Sequence, residues 1–185
     1  MLYFVRHGQT DSNAKQVFVD KLEPLNSTGI DEALKTAQNL KDVHFDVLFC
    51  SPLTRAKQTA EIVNRHHNLP IVIDNSLTER DWGKYMHMLV ESVDRKASWN
   101  FFCSVEGIEP IKDAFKRVYS FLNYLKENFK DKNVLVVSHS GVGRITNCYF
   151  TGIPENGDLL SKGLKNGEIA IYDFNELNNT NENIK

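Results

Sequence analysis

Short apolar runs recur along the chain, and longer segments with a helical pattern separate them. The runs are rich in β-branched or aromatic residues and mostly do not alternate with polar ones. They are LYFV at 2–5, FDVLFC at 45–50, IVI at 71–73, NVLVV at 133–137 and IAIYDF at 169–174. Runs of this kind are typical of strands that are buried on both faces of a sheet. The pattern therefore predicts five strands.

Apolar residues at helical spacing fill the segments between these runs. The three clearest stripes are Ile30, Leu34, Ala37 and Leu40; Leu53, Ala56, Ala60 and Val63; and Phe115, Val118, Leu122, Leu125 and Phe129. Ser27 or Thr28 is predicted to cap the first of these helices, and a fourth helix is predicted to begin near Gly141. Strands that alternate with helices indicate the α/β class, as a three-layer α/β/α sandwich around a mostly parallel central sheet.

A single domain over residues 1–175 accounts for this pattern. The 185 residues contain neither an internal repeat nor a linker rich in Pro, Gly or Ser, and this length suits one domain with a sizeable core. The stretch 83–110 is aromatic, polar and irregular, so we interpret it as a small cap insertion. The tail 176–185 is polar and is expected to fray.

Charge, hydropathy and cysteine content argue against a nucleic-acid or membrane partner and indicate the compartment of the protein. The formal net charge is −2, which favours neither a nucleic-acid surface nor an anionic membrane surface, so any anion site must be local. No apolar run approaches the roughly 20 residues that span a bilayer, and no signal peptide precedes the first strand. The three cysteines are widely spaced, which indicates a reducing compartment rather than a disulfide framework. We expect a cytoplasmic protein.

Polar side chains with specific chemistry follow four of the predicted strands. They are Arg6, His7 and Gly8 after the first strand; Ser51 and Arg55 after the second; Asp74 and Glu79 after the third; and Ser138, His139, Ser140 and Gly141 after the fourth. Ligands bind beyond the carboxyl ends of the strands in open α/β sheets. We therefore expect two arginines, two histidines and one glutamate to converge at one edge of the sheet.

These residue types together suit phosphoryl chemistry. Two guanidinium groups offer bidentate donors to a phosphoryl group and disfavour the protonated form of a histidine between them. A neutral histidine can then attack phosphorus, while the second histidine donates to the oxygens. A protonated Glu79 can protonate the leaving alkoxide and afterwards activate water. Backbone N–H groups at Gly8 and Gly141 can approach an anion closely. Each residue alone is more typical of a structural or surface position, and the joint pattern carries the interpretation.

Five motifs in order resemble one known family. They are RHGQTDSN at 6–13, PLNSTGIDEA at 24–33, SPLTRAKQTA at 51–60, LTERDWG at 77–83 and VLVVSHSGV at 134–142. Together they resemble the phosphoglycerate mutase-like branch of the histidine phosphatase superfamily, over residues 1–174. Its smaller phosphatases, including α-ribazole phosphatase-like members, are similar in size to this chain.

The resemblance implies a role for each matching residue. His7 would be the phosphorylated nucleophile and Glu79 the proton donor. Arg6, Asn13, Arg55 and His139 would hold the phosphoryl group. We expect Gly8 and Ser140 to contact it as well. The family uses neither a metal ion nor another cofactor.

The chain departs from the family pattern where the non-phosphate end of a substrate would bind. Members often carry Gly-Glu-Ser before the helix that follows the cap, whereas Glu109 here lies between Ile108 and Pro110, eight residues before Arg117. The segments after Asn13 and after Gly83 also differ. The core chemistry is therefore predicted to be intact, while substrate recognition is altered.

The same phosphohistidine serves hydrolysis and mutase-type transfer. A mutase must retain a bisphosphorylated intermediate, which needs extra basic residues, and between Gly83 and Glu109 there are only Lys84, Arg95 and Lys96, with His87. We therefore favour hydrolysis of a phosphomonoester of a small metabolite. Phosphoglycerate mutase-type transfer, or a non-catalytic regulator that binds a phosphorylated ligand on the same fold, are the alternatives. The cap aromatics either cover an apolar or ring-bearing group or simply pack the cap onto the domain.

Other chemistries fit less well. A cysteine phosphatase needs five residues between Cys and Arg, and only four separate Cys50 from Arg55. His66 and His67 lie near a helix end without a matching carboxylate motif, so we interpret them as surface residues rather than metal ligands. A nucleotide-binding loop at SGVGRIT would need a third glycine where Thr146 stands.

Overall fold

The computed structural model describes residues 1–177 and contains a five-stranded sheet in the order β3-β2-β4-β1-β5. The strands are β1 (Leu2–Arg6), β2 (Val47–Cys50), β3 (Ile71–Ile73), β4 (Val134–Ser138) and β5 (Ile169–Tyr172). The pairs β1–β4, β4–β2 and β2–β3 are parallel, and β5 runs antiparallel to β1. The predicted strands and the mostly parallel sheet are thus confirmed.

Helices cover both faces of this sheet. They are α1 (Asp11–Ala14), α2 (Ser27–Leu40), α3 (Thr54–Val63), α4 (Arg95–Ser98), α5 (Ile111–Phe129) and α6 (Ser140–Thr151), with short 3₁₀ turns at Asn64–His66, Asn75–Leu77, Gly83–Tyr85, Val90–Ser92, Leu160–Lys162 and Phe174–Glu176. Successive side chains of a strand point to opposite faces. Accordingly, Leu135 and Val137 of β4 pack in the cluster with α2 and α3, whereas Val134 and Val136 pack with α5 and α6. The predicted α/β sandwich is confirmed.

The two edge strands are less buried than the sequence pattern indicated. Every residue of β4 is buried, as expected for the centre of the sheet. In β3, however, Val72 and Ile73 are 41% and 45% exposed, and Ile171 in β5 is exposed as well. The prediction of strands buried on both faces is therefore wrong for β3 and β5, because the flanking helices cover the middle of the sheet and leave its edges in solvent.

The amino end of α2 also differs from the prediction. Asn26, and neither Ser27 nor Thr28, is the N-cap: its side-chain oxygen accepts a hydrogen bond from the backbone N–H of Gly29 at 2.9 Å. The helix consequently begins at Ser27, and its buried face is built mainly from small residues. Of the predicted stripe, Ile30 and Leu34 are partly exposed, while Ala37 and Leu40 are buried.

The cap segment 83–110 packs onto the domain through part of its aromatic set. Trp99 and Ile108 are buried in the same cluster as Phe115 of α5, and Phe101 lies 4.9 Å from the Phe115 ring. Phe102 is exposed. Within 1–177, no helix is both long and apolar enough to cross a membrane. Most of the predicted tail 176–185 lies outside the described residues.

Candidate active site

A cavity of about 320 Å³ opens where the carboxyl ends of the parallel strands lie. Strand β1 ends at Arg6, the loop after β2 leads into α3 with Arg55 in its first turn, and α6 begins directly after His139. The cavity wall contains six of the residues predicted from sequence, namely Arg6, His7, Asn13, Arg55, Glu79 and Ser140. The structure thus brings together side chains from four separate stretches of the chain.

The imidazole of His7 is buried and held in one tautomer. Its Nδ1 lies 2.7 Å from the backbone oxygen of Gly8, and its Nε2 lies 3.2 Å from Nε of Arg55. A guanidinium nitrogen can only donate and a carbonyl oxygen can only accept. Nδ1 therefore carries the proton and Nε2 keeps its lone pair.

The neutral form of His7 is strongly favoured. Burial lowers the pKa of His7 well below its usual range, and the charges of Arg55 and Arg6 lower it further. The two arginines predicted from sequence are therefore the smaller cause, and removal of the ring from water is the larger one. At neutral pH this ring is an unprotonated base and nucleophile.

The two arginines beside His7 are anchored by backbone oxygens. Arg55 donates from Nη1 to the backbone oxygen of Asp20 at 2.8 Å, and Arg6 donates from Nη1 to that of Leu164 at 2.7 Å. Burial lowers the pKa of Arg55 to about 10, so the side chain stays charged at neutral pH. Nε of Arg6 is buried and has no hydrogen-bond partner within the described residues. Each arginine therefore has a fixed orientation and donor capacity left over.

His139 lies behind His7 and does not line the cavity. The two rings meet edge to face with centroids 5.0 Å apart. Nε2 of His139 lies 2.7 Å from the hydroxyl of Ser51, and Nδ1 is buried with no partner in the part of the chain that the structure describes. Burial, then the charge of Arg55, lowers the pKa of His139 well below its usual range.

Glu79 is held at the amino end of α6. Its carboxylate accepts from the backbone N–H of Arg80 at 2.9 Å and from that of Gly141 at 3.2 Å. A Cβ at position 141 would overlap Oε1 of Glu79 and would lie 2.7 Å from the Trp99 ring. The backbone N–H of Gly141 therefore donates to the Glu79 carboxylate, whereas the predicted partner was a bound phosphoryl anion.

Gly8 has a packing role instead of the predicted phosphate contact. Its backbone N–H donates to the Thr59 hydroxyl at 3.2 Å, and the residue does not line the cavity. A Cβ there would overlap the backbone of Gly29, where α2 begins. The glycine is needed because two backbone segments meet with no room for a side chain.

Asn13 and Ser140 reach the cavity from two helix starts. The Oδ1 of Asn13 accepts from the backbone N–H of Thr10 and from the amide of Asn166, both at 3.3 Å. The Ser140 hydroxyl donates weakly to the backbone oxygen of Leu164 at 3.4 Å. Both side chains can therefore reorient towards a bound oxygen at small cost.

Sequence reasoning missed several residues that line the cavity, namely Lys21, Arg80, Arg144 and Asn166, and it counted Arg95 only as a cap residue. The guanidinium groups of Arg80 and Arg144 lie over the Trp99 ring at 5.3 and 5.0 Å, and burial lowers the pKa of each to about 10. Arg144 could have been found, because it lies one helical turn after Ser140. Asn166, in the loop before β5, carries no sequence signal, yet it donates to the backbone oxygen of His7 at 3.0 Å.

The cysteine and the histidines considered for other chemistries lie apart from the cavity. Cys50 is buried, as the apolar run around it indicated, and burial raises the pKa of its thiol to about 12. His66 is exposed, and His67 is half-buried with its ring 4.9 Å from that of Phe45. Within the described part of the chain, no group of three or more His, Cys, Asp or Glu side chains is placed to bind a metal ion.

Comparison with known proteins identifies the family. The family model described as histidine phosphatase superfamily (branch 1) matches residues 2–184. The chain belongs to the histidine phosphatase superfamily. This confirms the resemblance carried by the five sequence motifs.

Individual members of the superfamily cover most of the chain. It is 38% identical over 175 residues to "Uncharacterized phosphatase PhoE" of Bacillus subtilis (strain 168), covering 93% of this chain and 87% of that protein. It is 31% identical over 157 residues to a 2,3-bisphosphoglycerate-dependent phosphoglycerate mutase of Methylobacterium sp. (strain 4-46), covering 75% and 74%. The α-ribazole phosphatase structure from Shigella flexneri superposes with a TM-score of 0.77 at 26% identity, covering 91% of this chain and 87% of that one. The chain is accordingly a phosphatase-type enzyme.

Proposed function

We propose that the protein hydrolyses phosphomonoesters of small metabolites through a phosphohistidine on His7. The observation that carries this proposal is the state of the His7 ring. Arg55 donates to Nε2, so this nitrogen is unprotonated, and His7 lines the cavity. A neutral imidazole nitrogen with a free lone pair is a competent nucleophile towards phosphorus.

The donors around His7 suit a phosphoryl group. Arg6 and Arg55 supply fixed positive charge, and Asn13 and Ser140 can add hydrogen bonds from either side. His139 lies behind the His7 ring and does not line the cavity, so in the proposed mechanism it supports that ring and is assigned no contact with the phosphoryl group. Phosphate binding would displace the weak contact between Arg55 and Nε2, which frees the nucleophile as the anion arrives.

Glu79 supplies the proton in two half-reactions. In the first, the bond between Nε2 and phosphorus forms, the bond from phosphorus to the ester oxygen breaks, and protonated Glu79 gives its proton to the leaving alkoxide. In the second, the Glu79 carboxylate takes a proton from water as the water oxygen attacks phosphorus and the bond to Nε2 breaks. These steps use no metal ion or other cofactor. Because Cys50, Cys103 and Cys148 are free thiols, we place the reaction in the cytoplasm.

A rapid-quench experiment tests the intermediate. Incubation with a labelled phosphomonoester is expected to trap an acid-labile, base-stable phosphoryl group on wild type and on His66→Gln, and none on His7→Gln. His66 is exposed and serves as the matched control. Turnover without a trapped phosphoryl group in wild type would contradict the mechanism.

Phosphoglycerate mutase-type transfer is the second candidate function. The basic side chains of the cavity wall are the observation that favours it. Beyond Arg6 and Arg55, the wall carries the basic side chains Lys21, Arg80, Arg95 and Arg144. Of these, only Arg95 lies among the basic cap residues counted from sequence. Together the four side chains would suit a substrate with a second anionic group. The decisive assay offers a phosphoglycerate with and without a bisphosphate primer: release of inorganic phosphate supports hydrolysis, and primer-dependent isomerisation supports the mutase.

A further inference from the structure

The segment that carries Glu79 receives little support from the sheet. It follows β3, the exposed edge strand, and it continues through the 3₁₀ turn Asn75–Leu77 into an irregular stretch. The buried side chain of Leu77 anchors the start of this stretch, and its backbone oxygen accepts from Ser138 at 2.7 Å. Beyond Leu77, other groups must fix the backbone if Glu79 is to stay in place.

Arg117 holds the backbone on the amino side of Glu79. This arginine lies on α5, and its Nη1 donates to the backbone oxygens of Ser76 and Thr78, both at 2.7 Å. Thr78 directly precedes Glu79 in the chain. One guanidinium nitrogen therefore bridges two carbonyl groups and sets the path of the chain into the glutamate.

Glu109 holds the backbone on the carboxyl side of Glu79. Its Oε2 accepts from the backbone N–H of Asp81 at 3.0 Å, and its own N–H donates to the backbone oxygen of Asp81 at 2.8 Å. Its backbone oxygen also accepts from Nε of Arg80 at 2.8 Å. Arg80 and Asp81 are the two residues that follow Glu79. Hydrogen bonds with Arg117 and Glu109 therefore hold the chain on both sides of the glutamate.

A bidentate ion pair joins Arg117 to Glu109. Nε and Nη2 of Arg117 donate to Oε1 and Oε2 of Glu109 at 2.8 and 3.0 Å. The side chains are 23% and 17% exposed, so water screens the pair less than a surface pair, and neither residue lines the cavity. Paired guanidinium and carboxylate groups of this kind are strong and directional.

We propose that Glu109 and Arg117 form a positioning clamp that holds Glu79 in place for proton transfer. This rests on the proposed role of Glu79 as general acid and base. Neither clamp residue touches the reacting atoms, so both are positioning residues. A displacement of about 1 Å in a catalytic group costs on the order of 100-fold in rate. Loosening the clamp should therefore slow the steps that need the Glu79 proton.

The substrate's leaving group separates this role from a general loss of folded enzyme. An alkyl phosphate has a poor leaving group and needs the proton, whereas p-nitrophenyl phosphate leaves with little help. Glu109→Gln is expected to lower kcat/KM about 10-fold or more on the alkyl phosphate and less than about 3-fold on p-nitrophenyl phosphate. The ratio of kcat/KM for the alkyl phosphate to that for p-nitrophenyl phosphate should therefore fall. Arg117→Lys keeps the charge but loses the two-nitrogen contact with Glu109, so it should lower the same ratio.

The matched control is Asp46→Asn, which breaks the Lys132–Asp46 pair at the amino end of β2, away from the cavity. It should leave the ratio between the two substrates unchanged. Equal losses on both substrates in Glu109→Gln and Arg117→Lys would reduce the pair to a structural one and overturn the proposal.

A Glu79→Gln background separates failure of the clamp from failure of the proposed function. Glu79→Gln alone should shift the substrate ratio, and Glu109→Gln added to it should shift the ratio no further. If Glu79→Gln shifts the ratio and Glu109→Gln does not, the clamp alone is wrong. If Glu79→Gln lowers kcat/KM equally for both substrates, the assigned role of Glu79 is wrong. The proposed clamp is then wrong as well.

Discussion

A few contacts around His7 decide the chemistry of the site. The hydrogen bond from Arg55 fixes which ring nitrogen keeps its lone pair, and the backbone oxygen of Gly8 fixes the proton on the other. Burial and two nearby guanidinium groups keep the ring neutral. His139 packs on the same ring and is itself kept neutral. Two uncharged imidazoles can therefore lie in contact without the repulsion that two protonated rings would suffer.

Gly141→Ala tests the close approach of α6 to Glu79. The added methyl group would overlap the Glu79 carboxylate and press on Trp99, so Glu79 must move. We expect kcat/KM to fall about 100-fold, as for a misplaced catalytic group, while the protein still folds. Thermal unfolding measured beside the kinetics distinguishes displacement from unfolding.

Gly143→Ala is the matched control for this substitution on the same helix. Its Cβ would lie 3.2 Å from the Phe4 ring and 3.4 Å from Leu164, which are apolar groups away from Glu79. A small shift accommodates it, and activity should stay within about 3-fold of wild type. Similar losses in both variants would mean that helix disturbance, and not contact with Glu79, explains the effect.

Motif spacing predicted the residues that follow strands, and it failed for residues whose position depends on loops. Arg6, His7 and Arg55 reach the cavity because each lies at or shortly after the carboxyl end of a parallel strand. Asn166 arrives from a loop before an antiparallel strand, so no strand-end argument predicts it. A glycine near an anion site either brings its backbone N–H to the anion or leaves room for a neighbouring backbone segment. The sequence does not distinguish these two roles for Gly8, and the structure shows the second, with Gly29 packed against it.

At the scale of elements, the N-cap residue of α2 also joins this helix to the loop that follows β1. Asn26 caps the helix through Gly29 N, and its amide donates to the side chain of Gln9 at 3.1 Å. Asn26→Ala is expected to lower the free energy of unfolding by about 1 kcal/mol, which corresponds to a Tm decrease of about 2–4 °C for a chain of this size. Thermal or denaturant unfolding measures it.

Ser27→Ala provides the control for the cap. The sequence pattern placed the cap at Ser27 or Thr28, but the structure puts Ser27 inside the first turn with an exposed side chain. Its replacement by Ala should leave Tm within about 1 °C, since surface helix positions tolerate Ala. If Ser27→Ala destabilised the protein as much as Asn26→Ala, the cap assignment would be wrong.

The elements were predictable where burial is complete and less so at the sheet edges. An unbroken apolar run identifies β4 because both of its faces are covered by helices. The run IVI identifies β3 as a strand, yet its apolar composition does not reveal that Val72 and Ile73 face solvent. Edge position depends on strand order, which periodicity along one segment does not encode.

At the scale of the whole molecule, the charge of the cavity opposes the charge of the chain. The formal net charge is −2, whereas six basic side chains and two carboxylates, Glu79 and Asp81, line the cavity. The charge of Glu79 raises the pKa of Arg6, Arg55, Arg80 and Arg144, which partly offsets the lowering of these pKa values by burial. A concave site with an excess of positive charge concentrates the field and draws negatively charged substrates towards it.

The positive cavity predicts that kcat/KM depends on salt concentration, and that Arg95 contributes to this dependence. An increase in ionic strength from about 0.01 to 0.15 M shortens the Debye length from about 30 to 8 Å, so kcat/KM for a phosphomonoester should fall several-fold. Arg95→Gln removes an exposed charge at the cavity wall and should flatten this dependence. Lys41→Gln removes the same charge at the far end of α2, about 20 Å along that helix, and should leave the slope unchanged. If the two variants flatten the slope equally, net charge and not the cavity steers the substrate.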